Sequence, residues 1–95
     1  MEHFINAYTN KNTHNLMTDD AFIIPMLRNG EEQAFKLLFD REYEKLCHFA
    51  NCMIHDSMTA ESIVDDVMFN IWENHKDIVI TQSLHAYLVR GVRNR

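Results

Sequence analysis

The sequence predicts an all-α protein, a small bundle of about four helices. Its 95 residues, 46% of them hydrophobic, suit a single domain near the lower end of sizes that can bury a self-sufficient core. Only two Gly and one Pro are present, whereas β-sandwiches and barrels need many turn residues. Several segments also repeat apolar residues at spacings of three and four, which is the helical period.

A short first helix is predicted between Thr18 and Asn29. It contains Pro25, which should start, kink or shorten the helix because proline has no backbone N–H to donate. Asn29-Gly30 is a helix stop, since glycine readily adopts the left-handed conformation found after many helices. A second helix should then run from about residue 31 to about residue 55.

The second helix is predicted to be central. Its apolar residues fill an arc of roughly 180° around the axis, which requires neighbours on two sides. Glu42 falls in the middle of that arc and must find a partner or reach solvent, because an unpaired buried carboxylate is costly. The arc comprises Phe35, Leu38, Phe39, Tyr43, Leu46, Cys47, Phe49, Ala50, Met53 and Ile54.

Two further helices are predicted after this one. Asp56-Ser57 supplies an N-cap for a third helix that extends to about Asn74 and has the strongest amphipathic pattern in the sequence. Residues 75–82 have β-branched side chains and no helical period, so they should form a loop. Ser83 then caps a fourth helix. Its inner stripe comprises Leu84, Tyr87, Leu88, Gly91 and Val92.

Charge is unevenly distributed along the chain. The net charge of −5 argues against a polyanion binder of the histone kind. Six acids lie between Asp56 and Asp77 against one base, Lys76, and no acid follows Asp77. The remaining stretch carries three arginines, so an acidic region is followed by a basic one.

Several functional classes are not expected. No apolar run approaches the roughly 20 residues of a membrane span, and the first residues lack the features of a signal peptide, which predicts a cytoplasmic protein without membrane insertion. Phosphate-binding glycine loops, nucleophile elbows and zinc-protease motifs are missing, so we expect neither an enzyme nor a cofactor.

Cys47 and Cys52 would lie about 140° apart on one helix, which is poor geometry for a disulfide between them. We therefore predict that both are reduced thiols.

One stripe of possible metal ligands is present. His48, Cys52 and His55 share a helical face, and three such ligands can hold zinc. The stripe lies beside Arg41 and Lys45 on the polar side of the helix, where histidines are usually plain surface residues. We therefore predict no metal site.

An apolar residue interrupts the polar side of the third helix. Phe69 falls nearly opposite the centre of the apolar stripe, and acids surround it, which is the composition of a docking surface for a basic partner. A single exposed aromatic residue with no partner is the alternative. Its neighbours on this side are Ser62, Asp65, Asp66, Trp72 and Glu73.

The fourth helix has a basic outer side. Arg90 and Arg93 share it, and Arg95 follows. Guanidinium groups suit phosphates and stack on unpaired bases, so nucleic acid is the natural ligand. Three arginines are also compatible with an ordinary solvated surface.

Five segments together carry a family resemblance: residues 30–39, 46–50, 60–74, 83–88 and 93–94. They contain Gly-x-x-x-Ala-Phe, Ala-Glu-x-Ile-Val-x-x-Val and a tryptophan near the end of the third helix, in that order. With these motifs the chain resembles region two of extracytoplasmic-function sigma factors, a part of the sigma-70 superfamily. The resemblance covers residues 19–95, the expected domain, and residues 1–18 are expected to be a flexible arm.

The resemblance implies a transcription initiation factor with two partners. The third helix would dock on the coiled-coil clamp helices of the largest subunit of core RNA polymerase. The loop at residues 75–82 would capture a flipped-out base of the promoter minus-ten element, and the fourth helix would hold the non-template strand. An anti-sigma factor is a further implied partner. The implied polymerase-binding residues are Ser62, Asp65, Asp66, Phe69 and Trp72, and the implied DNA-binding residues are Lys76, His85, Arg90, Arg93, Asn94 and Arg95.

The chain departs from the family pattern in places. Ser62 and Asp65 replace the usual residues of the docking helix, Glu42 stands where an aromatic residue is common, and Tyr87 replaces a tryptophan. The region-four domain that binds the minus-35 element does not follow Arg95, so a truncated chain is expected. Two alternatives remain: a helical protein-interaction module that never meets DNA, and a degenerate sigma-like regulator that docks elsewhere on polymerase.

Overall fold

The structure is a computed structural model that describes residues 18–95, and it is all-helical there. Its four helices are α1 (Asp20–Arg28), α2 (Glu32–Ile54), α3 (Ser57–Glu73) and α4 (Leu84–Arg93), and no strand is found among the described residues. The predicted fold class, a small bundle of about four helices, is confirmed. The arm predicted for residues 1–18 lies, apart from Thr18, outside the described residues.

Helix α1 continues past its proline, and a glycine forms the turn after its last residue. Pro25 lies inside the helix, where it removes the donor that would bond to the carbonyl of Ala21. Both residues are exposed, so water can replace that donor. After the helix the N–H of Gly30 donates to Leu27 and the N–H of Glu31 donates to Met26, which is a Schellman ending. Gly30 has the positive φ of 77° that this ending requires.

Helix α2 is the centre of the bundle, as predicted, because it packs against each of the other three helices. Its most buried residues recur every four positions and include Glu42. Met53 departs from the predicted apolar arc: it is 46% exposed, since it lies in the last turn, beyond the buried Ala50. Apart from three alanines, the hydrophobic core of the described residues comprises Ile23, Leu27, Leu38, Leu46, Val64, Val67, Met68, Ile71, Ile78, Leu84, Leu88 and Val92.

Helix α2 ends in a feature that the sequence did not predict. His55 has a φ of 64°, the left-handed conformation that glycine or asparagine usually provides. The chain then turns into α3, where Asp56 occupies the N-cap position. The hydroxyl of Thr59 donates to the Asp56 carboxylate at 2.7 Å and lowers the pKa of that group. The predicted start of α3 is therefore confirmed.

The loop between α3 and α4 is anchored to the bundle at its middle. Ile78 is buried, and its carbonyl accepts a hydrogen bond of 3.2 Å from Arg28. Val79, the next residue, is 69% exposed. Ser83 caps α4 as predicted, because its hydroxyl accepts the N–H of Ala86 at 3.0 Å. The loop is thus fixed at its middle by Ile78 and followed by the capped start of α4, while Val79 faces solvent.

None of the described helices combines the length and the apolar character that crossing a membrane requires.

Candidate docking and nucleic-acid faces

The outer side of α3 is acidic and carries one large apolar residue. Phe69 is 60% exposed, which confirms the predicted exposure. The residues around it are exposed as well, so the group forms a continuous surface on one side of the helix. We call this the acidic face, and it comprises Ser62, Asp65, Asp66, Phe69 and Glu73.

A second apolar residue extends this surface. Met58 is 80% exposed and precedes Phe69 by eleven residues, which places it about three turns earlier on the same side of α3. The sequence did not single out Met58, because it lies in the first turn of α3, about three turns from Phe69 and the acids around it.

Asp65 is held in place by the central helix. The hydroxyl of Tyr43 donates to the Asp65 carboxylate at 2.9 Å. That hydrogen bond, together with burial, raises the pKa of the Tyr43 phenol above its usual value. The Asp65 carboxylate is therefore oriented at the edge of the acidic face. It accepts one hydrogen bond from Tyr43, and its other acceptor positions are open to a partner.

Trp72 lies mostly under the surface. Its ring is half-buried, with the Phe35 ring centroid 5.3 Å away and the His75 ring stacked at 4.9 Å. A row of aromatic rings continues along α2 from Phe35 through Phe39 to Tyr43. Of the five residues expected to meet polymerase, Trp72 is the only one that is half-buried rather than exposed.

The outer side of α4 is basic. Arg90, Arg93 and Arg95 form no ion pair with any acid in residues 18–95, and the same holds for the exposed Lys76 in the loop. The guanidinium groups therefore remain available to an external anion. We call this the basic face, and it comprises Arg90, Arg93, Asn94 and Arg95.

His85, at the start of α4, is engaged by the central helix. Glu42 is only 2% exposed, and its two oxygens accept hydrogen bonds from His85 Nδ1 at 2.6 Å and from Arg41 Nε at 2.9 Å. The sequence identified Glu42 as a buried acid in need of a partner, and the structure supplies two. Half of the His85 side chain remains exposed, and Nε2 is its ring nitrogen available to a ligand.

The same polar cluster connects three helices. Arg41 Nη1 donates to Asp20 Oδ1 at 2.9 Å and to the backbone carbonyl of Thr18. Asp20 Oδ2 in turn accepts the backbone N–H of Leu84, in the first turn of α4, at 2.9 Å. This Glu42 network therefore fixes the start of α4 relative to α1 and α2, and with it the end of the loop.

Two cavities lie along α4. The first, about 140 Å³, is between the loop and the helix. The second, about 230 Å³, is in the groove between α3 and α4. None of the described residues that line them is acidic. The first is lined by Val79, Thr81, Gln82, Ser83, Ala86, Tyr87 and Arg90, and the second by Val67, Asn70, Tyr87, Arg90, Gly91, Asn94 and Arg95.

The possible metal ligands on α2 do not form a site. His48 Nε2 and Cys52 Sγ are 3.7 Å apart, while His55 follows the end of the helix in a left-handed conformation. Among residues 18–95 no three His, Cys, Asp or Glu side chains are placed to hold a metal ion.

Cys47 and Cys52 are both free thiols, and burial raises the pKa of the Cys47 thiol.

Comparison with known proteins finds no matching family model, no matching curated protein and no matching solved structure.

Proposed function

We propose that this chain is a transcription initiation factor domain that binds core RNA polymerase and recognises the promoter minus-ten element as single-stranded DNA. It would act by binding and not by catalysis. The observation that carries the proposal is the separation of charge on consecutive helices. The acidic face on α3 is exposed, and the basic face on α4 is exposed beside two cavities and has no ion pair within residues 18–95.

The acidic face suits a basic, helical protein partner. Phe69 is large, apolar and 60% exposed, and the acids around it provide a charged rim, which is the usual arrangement of an interface anchor. The clamp helices of the polymerase largest subunit are the proposed partner, through the family resemblance of this segment. An anti-sigma factor that blocks transcription would compete for the same face.

The first cavity suits one flipped-out base. At about 140 Å³ it has room for a single planar ring system and not for a base pair. The Tyr87 ring offers a stacking surface and Arg90 offers a charge for the phosphate. A base in this cavity would be unpaired, so the chain would bind melted DNA more tightly than duplex.

Tighter binding to the melted strand would favour promoter opening, with core polymerase supplying the rest of the free energy. A ligand shifts an equilibrium by its difference in affinity for the two states, and here the two states are duplex and melted promoter. The loop is already held by the bond from Arg28 to Ile78 and by the bond from Leu84 to Asp20. Little of the binding free energy is therefore lost in ordering the loop.

Single-strand binding tests the DNA part of the proposal. In the double variant Arg90→Ala, Arg93→Ala, we expect weaker binding to a labelled single-stranded oligonucleotide, measured by fluorescence anisotropy across a salt series. The slope of log affinity against log salt should fall by about 1.4, since two phosphate contacts are lost. Wild type should also prefer the single strand to its duplex.

The control is the double variant Lys36→Ala, Lys45→Ala, which removes two exposed positive charges from α2. It should leave the salt slope unchanged. Equal slopes for the two double variants would reject the basic face as the DNA site. If wild type binds polymerase but no single strand, a degenerate sigma-like regulator is the better interpretation, and if it binds neither, a helical interaction module is.

A further inference from the structure

We propose that the second cavity binds the base next to the one held in the first, so that the chain contacts two successive unpaired bases. This inference rests on the proposed function and extends it. The two cavities lie on either side of Tyr87 and Arg90, which line both of them. Because the cavities share these two residues, bases bound in them would be close enough to belong to neighbouring nucleotides of one strand.

The second cavity has the composition that a nucleobase needs. Its floor is the buried Val67 together with Gly91, and its rim is formed by the exposed side chains of Asn70, Asn94 and Arg95. A base has apolar faces and a polar edge, so an apolar floor with polar groups at the rim matches it.

Gly91 forms part of the floor of this cavity and lies against Val67. A Cβ added at this position would lie 3.1 Å from Val67 Cγ1, closer than side chains normally pack. The absence of a side chain therefore allows α4 to lie close to Val67 of α3 at the floor of this cavity.

Asn70 offers the cavity a hydrogen-bond donor. Its Oδ1 accepts a bond from Asn74 Nδ2 at 2.7 Å, and the same nitrogen donates to the Asn70 backbone carbonyl at 3.0 Å. These bonds orient the Asn70 amide and use its acceptor. Its own Nδ2 has no hydrogen-bond partner within residues 18–95, so it can donate to a carbonyl or ring nitrogen on the edge of a base.

The charge around the cavity favours a nucleotide over other ligands. Arg90 and Arg95 lie at its edge, and no acid lines it among the described residues. A lone anion would leave the apolar floor without a contact. An acidic peptide would present no flat surface for the Tyr87 ring, whereas a nucleotide supplies both the base and the phosphate.

Fluorescence anisotropy of the 95-residue chain with labelled oligothymidine of roughly twelve nucleotides tests this inference. Asn70→Asp keeps the shape of the side chain at an exposed position but replaces the donor with an acceptor. Asn51→Asp makes the same change on the exposed side of α2, away from both cavities. We expect Asn70→Asp to weaken binding about tenfold, and Asn51→Asp to change it by less than about twofold.

An oligomer of the same length built from abasic sites separates base contacts from phosphate contacts. With this oligomer Asn70→Asp should lose less than about twofold, because only charge repulsion remains. Equal losses with both oligomers would mean that the cavity holds phosphate, which would overturn the inference. If Asn70→Asp binds oligothymidine as wild type does, the inference fails while the proposed function stands. If wild type does not bind oligothymidine, both fail.

Discussion

Glu42 illustrates what sequence can and cannot provide at the scale of one residue. The helical wheel identified it as an acid on an apolar arc, and burial to 2% exposure confirms its place in the core. Its partners were not predictable. Arg41 is adjacent in sequence but was placed on the polar side of the helix. His85 lies 43 positions later and was expected to bind DNA. A side chain that bonds across the bundle leaves no periodic signal in the sequence.

Replacing Glu42 with glutamine should destabilise the fold. A carboxylate accepts at both oxygens, so Arg41 and His85 both donate to it, whereas an amide would present a donor to one of them. We expect the free energy of unfolding in urea to fall by about 2 kcal/mol, since a charge-assisted hydrogen bond to the buried Glu42 side chain is lost.

Glu44→Gln is the matched control for this change. Glu44 is exposed on the same helix, and its substitution should alter stability by less than about 0.5 kcal/mol. Equal stabilities for Glu42→Gln and wild type would show that the Glu42 network contributes nothing to the fold.

At the scale of whole elements, sequence was most informative where residues act on their near neighbours. The Asn29-Gly30 stop, the start of α3 at Asp56 and the Ser83 cap all depend on local backbone hydrogen bonds, and all were predicted. The left-handed His55 was not predicted, because a positive φ is uncommon for any residue other than glycine. It is imposed by the path of the chain between α2 and α3.

Gly30→Ala should test the turn between α1 and α2. The φ of 77° is unfavourable for alanine, and an added Cβ would lie 3.1 Å from Nε2 of His75. We expect a loss of about 1–2 kcal/mol in the free energy of unfolding, measured in urea.

Gly30→Asn separates the two causes, because asparagine tolerates a positive φ but has the same Cβ. A smaller loss for asparagine than for alanine would assign the cost to backbone conformation. Unchanged stability in both variants would contradict the Schellman ending described here.

At the scale of the whole molecule, tertiary packing determines the candidate site. The acidic and basic faces were predictable, since each belongs to one helix and follows the helical period. The cavities were not, because the second brings Val67 and Asn70 of α3 beside α4. Nor was the bond from Leu84 to Asp20, which joins positions 64 apart. Asn70 was missed for this reason: its environment exists only once α3 and α4 pack.

The affinity of the labelled chain for bacterial core RNA polymerase tests the division between the two faces most directly. Phe69→Ala removes the exposed aromatic residue of the acidic face, and Phe22→Ala makes the same substitution at the 42% exposed Phe22 of α1. We predict that Phe69→Ala weakens binding about tenfold or more, as interface anchors do. Phe22→Ala and the double variant Arg90→Ala, Arg93→Ala should bind core polymerase as wild type does. Equal affinities for Phe69→Ala and Phe22→Ala would contradict the account.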